Sequence, residues 1–159
     1  MGCATVVMGD VVREETRRRN LEPTPENVGA VMLKLREEEG PAVVAKRCIS
    51  KIEGSRENVV VVDGVRSLEE VNEFKRHFPN FTLIALHASP HTRFRRLFRR
   101  RRSDDPSDRR TFEERDVREL GVGLGNVLAL ADYVVINEGT RDELRRKISY
   151  VLEGKVKGE

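Results

Sequence analysis

Residues 59–67 read VVVVDGVRS, an apolar run that stops on a carboxylate, a glycine and an arginine. The valines at 59–62 leave no polar face, as in a strand covered on both sides within a parallel sheet. Asp63 then falls at the strand's carboxyl end, the edge where open α/β sheets hold their ligands. A carboxylate there can hold Mg²⁺ directly or through water, Gly64 lets backbone approach a ligand, and the Arg66 guanidinium suits phosphate oxygens. Asp-Gly is also an ordinary turn after a strand, so the reading depends on what the rest of the chain supplies.

It supplies three further runs: ATVVM (4–8), FTLIAL (81–86) and YVVI (133–136). Between them the spacing turns helical. Thr24-Pro25 offers a cap and a first-turn proline ahead of Val28, Val31, Met32 and Leu35. A helix from near Pro41 buries Val44, Cys48, Ile49 and Ile52. Capping boxes are expected at Ser67 with Glu70, Thr111 with Glu114, and Thr140 with Glu143. Ser89-Pro90 begins one more helix, with an apolar face of Phe94, Leu97 and Phe98. Strands alternating with helices predict an α/β fold with a parallel sheet and right-handed crossovers.

With 159 residues, the chain has the length of a single domain, 1–159. Thirty basic residues against 27 acidic ones leave a net charge of +3, which excludes a general polyanion-binding coat and makes any basic function local. Charge this dense, without tryptophan, suits the ion-pair networks of thermophiles. Cys3 and Cys48 form neither a disulfide framework nor a metal pair. No apolar run reaches the roughly 18 residues of a membrane helix and no signal peptide begins the chain, so a cytoplasmic protein is expected. His77, His87 and His91 are scattered and receive no chemistry.

Two other stretches bear on function. In VVMGDVVRE (6–14), Gly9, Asp10 and Arg13 follow the first strand; Asp10 is expected to cap the next helix, and Arg13 lies near a helix N-terminus, where anions are favoured. In HTRFRRLFRRRRSDDPSDRR (91–110), most arginines must face solvent. Those flanking Asp104-Asp105 suit a hinged lid over transferred phosphates, spanning about residues 102–115, whose aspartates pair the arginines when it is open. Nucleic-acid binding is less favoured, because a tracking groove needs aromatic platforms and both phenylalanines of the stretch are wanted by the core.

Taken together, VVMGDVVREE, LEPTPENVGAVMLKLREEEGPAVVAKRCI, VVVVDGVRSLEEV, RRRSDDP, FEERDVREL and LALADYVVINEG resemble, almost end to end, an archaeal family of uncharacterised NTPases. That group is related to adenylate kinases and dephospho-CoA kinases. The resemblance implies a three-layer P-loop-kinase-like fold that uses ATP and Mg²⁺. It implies that Gly9, Asp10, Arg13, Gly64 and Arg66 line the acceptor site and that Asp63 stands near the metal. Arg102 begins the lid's Arg-x-Asp-Asp, a further lid arginine is Arg110 or Arg115, and Asn137 borders the adenine. One departure counts against it: the chain contains no GxxxxGK[ST] string. The first, central strand, its phosphate loop and its helix are expected to be missing, leaving a gap in the sheet and an exposed apolar edge. Either the start is an internal methionine, Met1, of a longer protein, which we favour because the other loops keep residue types suited to phosphate chemistry, or the protein is genuinely reduced. The expected function is phosphoryl transfer to a small acceptor, or ATP hydrolysis, in the complete form. The alternatives are a basic RNA- or ribosome-associated protein and a non-catalytic partner protein whose open edge is covered in an oligomer.

Overall fold

Among the described residues, each strand pairs with only one other. The computed structural model describes residues 2–156, Lys155 and Val156 by backbone alone; Met1, on which the start-site reading turns, lies outside it. Along the chain come β1 (Ala4–Val7), α1 (Met8–Arg18), α2 (Pro25–Glu39), α3 (Val43–Glu53), β2 (Val60–Asp63), α4 (Leu68–His77), β3 (Ile84–His87), α5 (Pro90–Arg100), α6 (Arg109–Val122), α7 (Leu124–Ala129), β4 (Tyr133–Ile136) and α8 (Arg141–Val156). β1 runs parallel to β2, with Ala4 opposite Val60 and Val7 opposite Asp63. β3 runs parallel to β4, with Ile84 opposite Tyr133 and His87 opposite Ile136. Parallel pairing demands a long return, supplied by α1 to α3 in one pair and α5 to α7 in the other. Among the described residues no ladder joins the two pairs, the break that the resemblance implies.

The main core lies where α1, α2 and α3 pack beside β1 and β2, closed by Leu35, Val44, Cys48 and Phe74. Leu35 is fully buried, an environment that contributes about 1.5–3 kcal/mol for such a side chain. The opposite character shows at Val61, Leu86, Val134 and Ile136, each about half exposed, so the strands carry apolar surface that the described helices do not cover.

Thr24, Ser67 and Ser89 cap α2, α4 and α5 by accepting from the backbone N–H of Asn27, Glu70 and Thr92. Thr140 and Glu143 form a reciprocal box at α8. Five expectations shift. The cap of α6 lies three residues before the expected Thr111: it is Asp108, which accepts from the Thr111 N–H at 2.8 Å. Strand β3 begins only at Ile84, because Phe81 is apolar for another reason, its ring stacking on Phe74 with centroids 6.1 Å apart. Met8 belongs to α1 rather than to the strand, and with Val7 at the helix start Asp10 is not a cap. Its carboxylate instead accepts from Arg13. Finally, Phe98 is 48% exposed, while Phe94 packs edge-on against Phe112 of α6.

Candidate functional site

The turn from β1 directly into α1 sets Gly9 and Arg13 four residues apart on one helix face, as neighbours. Gly64, at φ 103°, ends β2 in the left-handed region, and a Cβ there would lie 3.7 Å from Met8 Cβ and 4.0 Å from the Gly9 backbone nitrogen. The two strand ends therefore converge. Arg66 follows and is fixed by an ion pair to Glu119 of α6 at 2.9 Å. Arg115, one turn earlier on α6, completes a cleft lined by Gly9, Arg13, Arg66, Asp104, Arg115 and Glu119, with α2 as its further wall. Its volume is about 60 Å³, room for about two waters.

The acidic loop closes this cleft. Asp104 and Asp105 are buried, and Asp104 Oδ2 accepts from Arg13 Nη1 at 2.8 Å, across 91 residues of sequence. Asp104 Oδ1 is buried without a hydrogen-bond partner. Asp105 is held by Arg100 and by the Arg102 backbone N–H. Burial works against the charge of Arg13, but Asp10 and Asp104 outweigh it and raise its pKa. Arg115 goes the other way: burial first, then repulsion from Arg66, lower its pKa despite Glu119, Asp104 and Asp105. An anion entering the cleft would relieve that imbalance.

Of the anticipated site residues, Gly9, Arg13, Arg66 and Arg115 line the cleft, Asp10 supports it through Arg13, and Gly64 shapes it. Asp63 stands at the end of β2, exposed and without a partner among the described residues, but does not line it. The Arg102 side chain is exposed. Arg110 points away, 89% exposed and paired with Glu114. Asn137 belongs to the other strand pair, where its N–H donates to the His87 carbonyl and its carbonyl accepts from Arg96. Sequence reasoning counts Arg118 only among the arginines that follow the acidic loop, with no site role of its own, and leaves Gly29 and Glu119 unassigned, although Arg115, Arg118 and Glu119 recur at helical spacing there.

Among the described residues no group of three His, Cys, Asp or Glu side chains could cage a metal. The uncommitted Asp63 carboxylate fits Mg²⁺ in another way, as one ligand among waters and phosphate oxygens. A larger cavity, about 500 Å³ between β4 and α8, is lined by Val134, Ile136, Tyr150 and Val151 with Arg146 and Lys147. It shares no lining residue with the arginine cleft and has no carboxylate in its wall.

A family profile described as an AAA domain matches residues 1–113. The chain is 50% identical to a UPF0200 protein of Hyperthermus butylicus over 152 residues, 96% of this chain and 81% of the relative. It is 49% identical to one of Thermococcus onnurineus over 156 residues, 96% of this chain and 84% of the relative. The UPF0200 protein MJ1399 of Methanocaldococcus jannaschii is 49% identical over 150 residues, 93% of this chain and 76% of the relative. The chain belongs to the UPF0200 family. This UPF0200 fold is α/β with parallel strands and P-loop kinase-like, and the profile makes the domain P-loop NTPase-like, a nucleotide-binding class. No helix among its described residues is long and apolar enough to cross a membrane.

Proposed function

We propose that this domain acts in phosphoryl transfer from ATP to a small acceptor seated in the arginine cleft, with water as the acceptor in a hydrolytic variant. One observation carries the reading: Arg13 from α1, Arg66 after β2 and Arg115 from α6 converge on one cleft at the carboxyl edge of β1 and β2, with an uncommitted Asp63 at the end of β2. Arg13 and Arg66 hold the acceptor. Arg115 neutralises charge on the transferred group, joined by Arg102 as the lid moves. Mg²⁺, with Asp63 as a ligand, would screen the phosphate oxygens. In the transfer, an acceptor oxygen bonds to the γ-phosphorus, the bond to the β,γ-bridging oxygen breaks, and the acceptor proton leaves to solvent. Positioning and charge stabilisation suffice for such a step. The cleft has room for a phosphoryl group but not for a nucleotide, so the Asp104–Arg13 contact must open for binding.

The test uses the protein isolated from its native host, incubated with Mg²⁺ and γ-labelled ATP and a panel of phosphorylated metabolites. Label should pass to an acceptor or to phosphate. Arg13→Ala and Asp63→Ala, made in that same chain, should each lower kcat/KM by about 100-fold or more with the fold retained. Absence of any Mg²⁺-dependent turnover across the panel, or turnover unchanged in both variants, would overturn the proposal.

A further inference from the structure

We propose that Arg118, seated against the bare Cα of Gly29, is a further acceptor-binding residue of this cleft, and that the acceptor group it recognises is a phosphomonoester. The inference rests on the phosphoryl-transfer reading of the same site.

Arg118 lies on α6, one turn beyond Arg115, and its side chain lines the cleft. Among the described residues it has no hydrogen bond or ion pair; the carboxylate beside it in sequence, Glu119, is engaged by Arg66. Four guanidiniums, those of Arg13, Arg66, Arg115 and Arg118, share the cleft with two carboxylates in its wall, Asp104 and Glu119. Arg13 is paired by Asp104 and also by Asp10, Arg66 by Glu119, and Arg115 lies 3.9 Å from Asp105. Of the four, Arg118 alone has no carboxylate partner among the described residues. A phosphomonoester would give Arg118 its counter-charge and, in place of Asp104, a second charge to Arg13, whereas a neutral group would leave Arg118 a part-buried cation without a counter-ion. Asp104 marks where such an anion sits: its carboxylate occupies Arg13, and its second oxygen is buried in the cleft with no partner.

Gly29 explains why Arg118 stays there. It lies buried inside α2, where glycine weakens a helix relative to alanine. Its backbone is not in the left-handed region, so conformation does not require it. Space does: a Cβ at Gly29 would lie 2.6 Å from Arg118 Cζ, 2.8 Å from Nη1 and 2.9 Å from Nε. An alanine would push the flexible arginine out of its seat while leaving α2 as good a helix or better.

The experiment measures binding of AMP, ribose 5-phosphate, inorganic phosphate and uncharged adenosine by calorimetry. The wild-type protein should bind a phosphomonoester and not adenosine. Arg118→Ala should weaken that binding about 10-fold or more, Gly29→Ala should do the same without lowering the thermal midpoint, and the double variant should bind no more weakly than Arg118→Ala alone. If Arg13→Ala loses binding while Arg118→Ala and Gly29→Ala keep it, the inference fails and the phosphoryl-transfer reading stands. If the wild type binds no phosphomonoester, both fall. Losses that add in the double variant would show that Gly29 does not act through Arg118 and would overturn the pairing. Inorganic phosphate binding more tightly than either ester would make this a free-phosphate site and overturn the phosphomonoester acceptor.

Discussion

Glu15 shows what a single residue does here beyond the cleft. It is buried on α1 and receives ion pairs from Arg19 at 2.8 Å, Arg18 at 2.9 Å and Arg47 of α3 at 3.0 Å. Hydrogen bonding from Arg19, then from Arg18 and Arg47, outweighs the opposing effect of burial and lowers its pKa from 4.5 to about 2. A depressed carboxylate stabilises the fold fully above the unfolded-state value and loses that contribution as pH falls through the folded one. The urea midpoint should therefore drop between pH about 4.5 and about 2. Glu15→Gln should flatten that drop and cost about 1–3 kcal/mol at neutral pH; an equally steep pH dependence in the variant would reject the assignment. The pairs with Arg18 and Arg19 could be read from their i, i+3 and i+4 spacing, but Arg47 could not, because only the packing of α1 on α3 brings it near.

At the scale of elements, α2 separates two uses of glycine. Gly40, at φ 95° and ψ 162°, ends the helix in a region essentially restricted to glycine, with open space where a Cβ would go. Gly40→Ala should lower stability by about 1–3 kcal/mol in a denaturation experiment, whereas Gly29→Ala should not; equal effects would contradict this division. The sequence reading put a new helix near Pro41, two residues short of its start at Val43, but the Gly29–Arg118 contact depends on α6 crossing α2. The arginine-rich α5 divides similarly. Arg93 grips Asp116 with both terminal nitrogens, Arg96 holds the carbonyls of Asn137 and Gly139, and Arg100 holds Asp105. The side chains of Arg95, Arg99 and, just past the helix, Arg101 have no partner among the described residues. The charge run read as largely solvated is thus half structural, a distinction set by helical phase relative to the neighbouring loops. RNA retention through the free face, if it occurs, should decline steeply with salt. Arg95→Glu with Arg99→Glu should abolish it while phosphomonoester binding is unchanged; loss of both together would tie the RNA and acceptor sites to one surface.

For the whole molecule, the strands, their parallel sense and the break between the two pairs followed from short apolar runs and an absent phosphate-loop motif. The docking of the acidic loop did not. RSDDP reads as a polar excursion because nothing local reveals that Arg13, on α1, will meet Asp104 from 91 residues away. This long-range contact ties α1 to the acidic loop, so that on the phosphoryl-transfer reading proposed above the acceptor side and the lid would move together. A buried charge-assisted hydrogen bond contributes about 1.5–3 kcal/mol, equivalent to roughly a 10- to 100-fold bias toward the docked loop. Asp104→Asn, which keeps the shape but removes the charge, should release much of that bias. Trypsin should then cut within residues 101–110 about 10-fold faster or more, while cleavage elsewhere keeps its rate. An unchanged rate would place the closing force in Asp105 and Arg100 instead, and Asp105→Asn would then have to show the acceleration for the lid to be held by its aspartates at all.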